Sequence, residues 1–146
     1  MIVIDTSVFT DFLINFDSNR HSKARSLLDK ISEKDFIIYE PFLFDVELAG
    51  ILRRRYDERT TSGILTDLKD KIEVIGEPSL HEVALSIAMR THGRAIDSYF
   101  IATAKLTNSI LITNDRMMNE NARKFGIESY CLFKDFNKTI NRLKKV

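Results

Sequence analysis

Residues 110–115 read Ile-Leu-Ile-Thr-Asn-Asp, a short apolar run that ends in polar residues. An apolar run of this length, bounded by turn-forming residues, is typical of a strand buried inside a parallel sheet. Residues 2–7, Ile-Val-Ile-Asp-Thr-Ser, repeat the pattern. In both places the polar residues favour helix N-caps, so each segment predicts a strand, a tight turn and a helix.

The rest of the chain alternates helix-like with strand-like segments. Further strands are predicted over residues 36–39, 73–75 and 128–133. Helices are predicted over 8–15, 22–34, 41–56, 60–71, 79–91, 94–107 and 116–124, and at the C-terminus. Strands separated by helices predict a central parallel sheet covered on both faces, a three-layer α/β/α sandwich. Because no repeat or Pro/Gly-rich linker interrupts it, residues 1–146 are expected to form a single domain.

The composition is that of an ordinary globular protein, with 44% hydrophobic residues and 22 basic against 21 acidic side chains. Cys131, the single cysteine, lies in an apolar run and cannot form an internal disulfide. No uncharged apolar stretch approaches the roughly 20 residues of a membrane-spanning helix. These features predict a cytoplasmic protein without a membrane segment. A nucleic-acid partner is compatible with the balanced charge if several acids are gathered in one pocket, which leaves the remaining surface basic.

Four acidic residues interrupt or end apolar segments: Asp5, Glu47, Asp97 and Asp115. Buried carboxylates are costly and repel one another, so a bound divalent cation is the simplest explanation for such a set. Mg²⁺ and Mn²⁺ favour oxygen ligands and support hydrolysis of phosphodiesters. Asp5 and Asp97 are predicted to be the direct metal ligands. Glu47 and Asp115 are predicted to bind a second ion, a metal-bound water or the attacking water.

Local roles for these acids remain open. Asp5 and Asp115 follow strands and could be helix N-caps. Asp97 lies in the first turn of a helix, where the macrodipole favours an anion. Glu47 is harder to explain locally, because residues 43, 44, 50 and 51 on its helix face are apolar or small and none is basic. A long-range salt bridge or a position at the edge of the stripe would be the alternative for Glu47.

Polar and basic residues near the acids are candidates for supporting roles. The hydroxyls of Ser7 and Thr113 could orient the carboxylates, or could serve only as turn and cap residues. Arg116 directly follows Asp115 and is the predicted substrate-binding residue. Two basic clusters could hold phosphates or could be solvated helix surface; they comprise Arg53, Arg54, Arg55 and Arg59, and Lys134, Lys138, Arg142, Lys144 and Lys145.

The four acidic motifs together resemble the PIN-domain family, and within it the compact ribonuclease toxins of the VapC type. The motifs are Ile-Asp-Thr-Ser-Val, Val-Glu-Leu-Ala, Ala-Ile-Asp-Ser-Tyr-Phe-Ile-Ala-Thr-Ala and Leu-Ile-Thr-Asn-Asp-Arg, in that order. The resemblance implies a PIN-like α/β/α fold and Mg²⁺- or Mn²⁺-dependent endonuclease activity on RNA. It also implies that the protein forms a dimer and that a VapB-like antitoxin restrains its activity. By matching position, Asp5, Glu47, Asp97 and Asp115 take the acidic roles of the family.

Other functions fit the sequence less well. A haloacid-dehalogenase-like phosphatase also begins with a strand and an aspartate, but it requires a second aspartate where Ser7 stands. A stand-alone RNA-processing PIN nuclease without an antitoxin is an alternative to the toxin. A PIN-like binding scaffold without activity is a third possibility, against which the four intact acids argue. Apolar residues around much of the third predicted helix, including Phe42, Phe44, Leu48, Ile51 and Leu52, predict a homodimer formed through helices.

Overall fold

A computed structural model describes all 146 residues. The five strands are β1 (Ile2–Ile4), β2 (Ile38–Pro41), β3 (Ile72–Ile75), β4 (Ile110–Thr113) and β5 (Ser129–Cys131). The eight helices are α1 (Thr6–Leu13), α2 (Ser18–Glu33), α3 (Phe44–Leu52), α4 (Glu58–Lys69), α5 (Glu77–Thr91), α6 (Ala95–Leu106), α7 (Arg116–Lys124) and α8 (Leu132–Lys144). None of these helices combines the length and apolar composition needed to cross a membrane.

The strands form one parallel sheet in the order β3-β2-β1-β4-β5. The chain runs outward from β1 to β3, then returns to β4 on the other side of β1. With right-handed connections, this reversal places α1 to α4 on one face and α5 to α7 on the other. Packing agrees, because α1 contacts α2 and α3, α5 contacts α6, and α8 returns to α2. The predicted three-layer arrangement with a central parallel sheet is confirmed.

The core lies on both faces of the two central strands. β1 and β4 are buried at every position, as are Phe9, Phe44 and Phe100 from the helices that cover them. Phe9 of α1 meets Phe44 of α3 edge to face, with ring centroids 5.0 Å apart. This contact fixes α3 beside the N-terminus of α1, at the carboxyl end of the sheet.

Both ends of the helix predicted over 41–56 are wrong. Pro41 does not open a helix; it ends β2, where it is paired with Ile75 of β3. The predicted helix over 41–56 shortens to Phe44–Leu52. Proline is compatible with both a helix start and a strand end, so the sequence alone did not decide between them. The strand pairing decides it, because the N–H of Phe42 still donates to the carbonyl of Ile75 at 3.0 Å.

The helix α5 ends in a non-glycine residue with left-handed backbone. The left-handed cap residue is His92, at φ 54°, rather than the following Gly93. The glycine at position 93 lies close to the side chain of Thr91. A Cβ there would lie 2.9 Å from the hydroxyl oxygen of Thr91, so a larger residue would have to displace that hydroxyl, which accepts the N–H of Gly93.

Candidate active site

Asp5 stands at the carboxyl end of β1, next to the point where the strand order reverses. Its backbone has the extended N-cap conformation, yet its side chain makes no cap hydrogen bond to α1. The carboxylate oxygen Oδ2 instead accepts hydrogen bonds from Ser7 Oγ at 2.5 Å and Thr113 Oγ1 at 2.7 Å. The capping alternative therefore does not account for this aspartate, which is held by hydroxyl groups from two different segments.

Burial disfavours the ionised form of the Asp5 carboxyl. Its residue is 5% exposed, and desolvation raises the pKa of its carboxyl from 3.8 to about 6. Hydrogen bonds from Ser7 and Thr113 oppose that rise, while the nearby charges of Glu47 and Asp97 add to it. A carboxyl that is expensive to ionise without a partner is suited to receive a cation.

Thr113, the last residue of β4, connects Asp5 to Asp115. Its side chain is fully buried, donates to Asp5 and accepts the N–H of Asp115 at 2.8 Å. Asp115 is the N-cap of α7, where Oδ1 accepts the N–H of Met118 at 3.0 Å. The second oxygen of Asp115, Oδ2, is not used by the cap and accepts a hydrogen bond from a residue 21 positions earlier in the chain.

The guanidinium of Arg94 joins Asp97 and Asp115, and the sequence did not lead us to predict this role for Arg94. Arg94 Nε and Nη2 donate to the two carboxylate oxygens of Asp97 at 3.0 and 3.2 Å. The same Nη2 donates to Asp115 Oδ2 at 3.2 Å. Burial raises the pKa of Asp97, and the hydrogen bonds and charge of Arg94 oppose that effect. The i,i+3 spacing of Arg94 and Asp97 at the start of α6 was the available sequence signal.

Glu47 reaches the same edge of the sheet from α3. Its Oε2 accepts a hydrogen bond from Thr6 Oγ1 at 2.6 Å, one residue beyond Asp5. Glu47 makes no salt bridge, so the long-range ion pair considered as an alternative is not formed. Its charge is close enough to raise the pKa values of Asp5 and Arg94. The structure therefore brings all four predicted acids to the carboxyl end of the sheet.

A fifth acid, Glu40, lies beside this group and was also missed. It is fully buried in β2, and its Oε1 accepts the N–H of Ile4 at 3.1 Å, whereas Oε2 has no hydrogen-bond partner. Desolvation holds the pKa of Glu40 well above its usual range. A charged residue inside a strand would have been the signal, but the predicted strand ended at residue 39.

A network of polar side chains surrounds the turn that follows β1. Ser7 accepts the N–H of Asn114 at 3.1 Å in addition to donating to Asp5. The amide of Asn114 donates to the buried Asp11 at 2.7 Å, and Asp11 also pairs with Arg20 at 3.0 Å. Ser7 and Thr113 thus contact the acids directly, as a supporting role requires.

Arg116 is not directed at the acids in this structure. Its side chain is 83% exposed and pairs with Glu120 on the next turn of α7, at 2.9 Å. It lies next to Asp115 in the chain but contacts none of the four acids. Substrate binding by Arg116 stays a prediction.

The donor chemistry of the site fits a hard divalent cation. The available ligands are carboxylate oxygens, and two of the acids, Asp5 and Asp97, are buried with raised pKa values. No three Asp, Glu, His or Cys side chains converge closely enough to hold an ion between them as they stand. The Arg94 guanidinium lies where Asp97 and Asp115 face each other.

The sequence matches a known family over most of its length. Residues 2–124 match the PIN domain. The chain belongs to the PIN-domain family. That family is typically composed of nucleases, so the acids at the sheet edge lie in a PIN nuclease fold. No curated protein matches the sequence significantly.

Solved structures share the PIN fold at low sequence identity. PAE2754 from Pyrobaculum aerophilum is 20% identical, with a TM-score of 0.64 over 99% of this chain and 90% of its own. FitAcB from Neisseria gonorrhoeae is 19% identical, with a TM-score of 0.63 over 89% of this chain and 96% of its own. FitAB bound to an IR36 DNA fragment is 19% identical, with a TM-score of 0.61 over 89% and 94%.

Proposed function

We propose that residues 1–146 form a single-domain, Mg²⁺- or Mn²⁺-dependent endoribonuclease of the cytoplasm that hydrolyses RNA phosphodiester bonds. Membership of the PIN-domain family supports nuclease chemistry. The main support for the proposal is the environment of the Asp5 side chain. It occupies an N-cap position but leaves the helix uncapped, and it is buried with two hydroxyl donors and a raised pKa.

Each acid has a distinct role in this proposal. Asp5 and Asp97 would hold the ion, because they are the two buried members of the set. Glu47 and Oδ2 of Asp115, which accepts a hydrogen bond from Arg94 in this structure, would bind a second ion, a metal-bound water or the attacking water. A divalent cation bound there would neutralise charge that builds up on the phosphate as the phosphorus–oxygen bond breaks. Ser7 and Thr113 would keep the Asp5 carboxylate in one orientation.

A basic groove beside the acids supports RNA as the substrate. The groove has a volume of about 540 Å³ and extends from Ser7 past Phe16 to Arg54 and Arg55. Arg55 lies over the Phe16 ring, 4.2 Å from its centroid. Arginines can contact phosphates and an exposed aromatic ring can stack on an unpaired base, so the groove suits a single strand. One structural neighbour is bound to DNA, which makes a DNA strand of the same sequence the informative competitor.

Asp97→Asn tests the assignment most directly. The substitution removes one charge with little change of shape, so we expect the fold to persist and Mn²⁺-dependent RNA cleavage to fall at least about a hundredfold, which corresponds to roughly 3 kcal/mol. Asp67→Asn on the exposed side of α4 is the matched control, and both proteins would be purified identically. Cleavage by Asp97→Asn at the rate of the control would show that the activity has another source.

The toxin role is part of the proposal and rests on the resemblance to VapC. An antitoxin of the VapB type could present a basic side chain to the acids, and Asp97 and Asp115 already accept a guanidinium from Arg94. Expression of the chain alone should slow growth, whereas Asp5→Ala should not. If expression in the native host is harmless and no partner co-purifies, an RNA-processing nuclease without an antitoxin becomes the better account.

A homodimer through helix surfaces is also proposed. Phe44, Leu48 and Leu52 of α3 are buried in the core, but Val46 on the same helix is 73% exposed and Phe42 just before it is 36% exposed. Apolar side chains left at the surface in this way can be covered by a second copy. Light scattering at micromolar concentrations should give twice the monomer mass, and Val46→Glu should shift it toward the monomer.

A further inference from the structure

Arg94 is the one side chain that donates hydrogen bonds to the carboxylates of two predicted active-site acids. Its guanidinium spans both oxygens of Asp97 and one oxygen of Asp115, at 3.0 to 3.2 Å. Gathered carboxylates repel one another, so this cation compensates part of their charge. The contact therefore satisfies the acids in the same way as a bound cation would.

The two partners in this contact differ in their freedom to move. The side chain of Arg94 is 74% exposed, whereas that of Asp97 is 10% exposed. Asp115 is held by its cap hydrogen bond to Met118. The guanidinium can leave for water at little cost, while the carboxylates stay in place.

The backbone of Arg94 is anchored. Its carbonyl accepts hydrogen bonds from both the N–H and the hydroxyl of Ser98, each at 3.0 Å. Before it, the N–H of Gly93 donates to the Thr91 hydroxyl at 3.1 Å. These hydrogen bonds hold the backbone at position 94, so the guanidinium can leave the carboxylates while its residue remains beside them.

We propose that Arg94 and the divalent ion compete for the carboxylate of Asp97, and that the displaced guanidinium binds a phosphate of the RNA. A planar guanidinium pairs equally well with carboxylate and with phosphate, so one side chain can make both contacts in turn. The inference rests on the proposed nuclease function and adds a substrate-binding residue to it. Ion binding then prepares the phosphate contact by releasing the arginine.

The test compares Arg94→Gln with Arg94→Lys and Arg116→Gln in the full chain, stripped of metal with EDTA. Arg116→Gln is the matched control, because it removes the same charge next to Asp115 from a residue that contacts no acid of the site. Mn²⁺ alone is titrated by calorimetry or electron paramagnetic resonance. Loss of exposed ion pairs should raise the Mn²⁺ affinity of Arg94→Gln by about three- to tenfold, and leave that of Arg116→Gln within about twofold of the wild type.

Arg94→Lys separates geometry from charge. Lysine keeps the charge, but it lacks the planar guanidinium that lets Arg94 donate to both oxygens of Asp97 and to Asp115 at once. We expect its Mn²⁺ affinity to lie between those of the wild type and Arg94→Gln. Equal gains in Arg94→Gln and Arg116→Gln would reduce the effect to general electrostatics and overturn the proposal, as would an unchanged Mn²⁺ affinity in Arg94→Gln.

RNA cleavage supplies the second readout. In Arg94→Gln the KM for RNA should rise several-fold while Mn²⁺ binds more tightly, and a purely structural residue would not move the two in opposite directions. An unchanged KM would overturn the phosphate contact. If neither the wild type nor any variant binds Mn²⁺, the nuclease proposal itself fails. If the wild type binds Mn²⁺ and cleaves RNA but Arg94→Gln gains no affinity, only the role of Arg94 fails.

Discussion

The junctions after β1 and β4 have the same sequence pattern, an apolar strand followed by an aspartate and a helix, but the two aspartates do different things. Asp115 caps α7 through Met118 and remains 29% exposed at its side chain. Asp5 occupies the same position before α1, makes no cap and is buried under two hydroxyl donors. The first junction leaves its helix uncapped to hold a buried carboxylate, and the second uses its aspartate for local stability as well.

This difference shows that position relative to a helix does not by itself define a capping role. An N-cap aspartate stabilises the folded chain whether or not the site has a ligand. A buried aspartate with a raised pKa costs stability until a cation or a proton joins it. The stability of the folded protein should therefore respond differently to the same substitution at the two junctions.

The largest contrast is expected between Asp5→Asn and Asp115→Asn in metal-free protein. The folded-state pKa of Asp5 is raised from 3.8 to about 6, so the folded protein binds this proton more tightly than the unfolded chain. Stability from this group is complete below pH 3.8, falls as pH rises to about 6 and stays reduced above it. At pH 8, Asp5→Asn should raise the free energy of unfolding by up to about 3 kcal/mol.

Asparagine caps helices as well as aspartate does, so Asp115→Asn should leave that free energy unchanged. Urea denaturation in EDTA at pH 4 and pH 8 measures both variants. The increase in the free energy of unfolding of Asp5→Asn should disappear at pH 4. Mn²⁺ should also no longer stabilise this variant. Equal responses of the two variants would mean that the junctions do not differ energetically.

Glu40→Gln extends the comparison, because Glu40 is a second buried acid in contact with β1, where it accepts the N–H of Ile4. Burial keeps the pKa of Glu40 well above its usual range, so the stability it contributes is again lost as pH rises above the unfolded value. Glutamine keeps an oxygen for the N–H of Ile4 and cannot ionise. The slope of stability against pH should therefore flatten in urea denaturation series.

The net gain of Glu40→Gln should be smaller than that of Asp5→Asn. The new amide group brings two N–H donors into a site where the present Oε2 has no partner. Glu58→Gln, at an exposed position at the start of α4, makes the same chemical change and serves as the matched control. A pH profile of Glu40→Gln identical to the wild type would show that Glu40 is not responsible for the slope.

The smallest effect is expected for Asp115→Ala. It removes the hydrogen bond to Met118 and should lower the free energy of unfolding by about 1 kcal/mol. Asp17→Ala, at the cap of α2, should cost about the same, because Asp17 accepts the N–H groups of Asn19 and Arg20. Asp5→Ala should show no cap loss, and a thermal melt at pH 8 that ranks Asp5→Ala below Asp115→Ala would reverse the comparison.

Much of the fold could be predicted because its signals are local. The apolar runs at 2–4 and 110–113 specify buried strands, and the alternation of strands with helices specifies a parallel sheet. Placement of Asp5 and Asp115 at strand ends followed directly, since all carboxyl ends of a parallel sheet lie at one edge. Pro41 was misassigned because its local preference allows two outcomes, and only pairing with β3 selects one.

By itself, the sequence determined which residues form the central strands and which acids interrupt them, because hydrophobic periodicity and turn chemistry act over a few neighbouring residues. Tertiary structure decided how those acids are used. Whether Asp5 caps a helix depends on Thr113, which is 108 residues away, and the environment of Glu40 depends on the β1 strand packed beside it. Burial and hydrogen-bond partners are set by contacts between distant segments, so the ionisation of a side chain is a property of the fold.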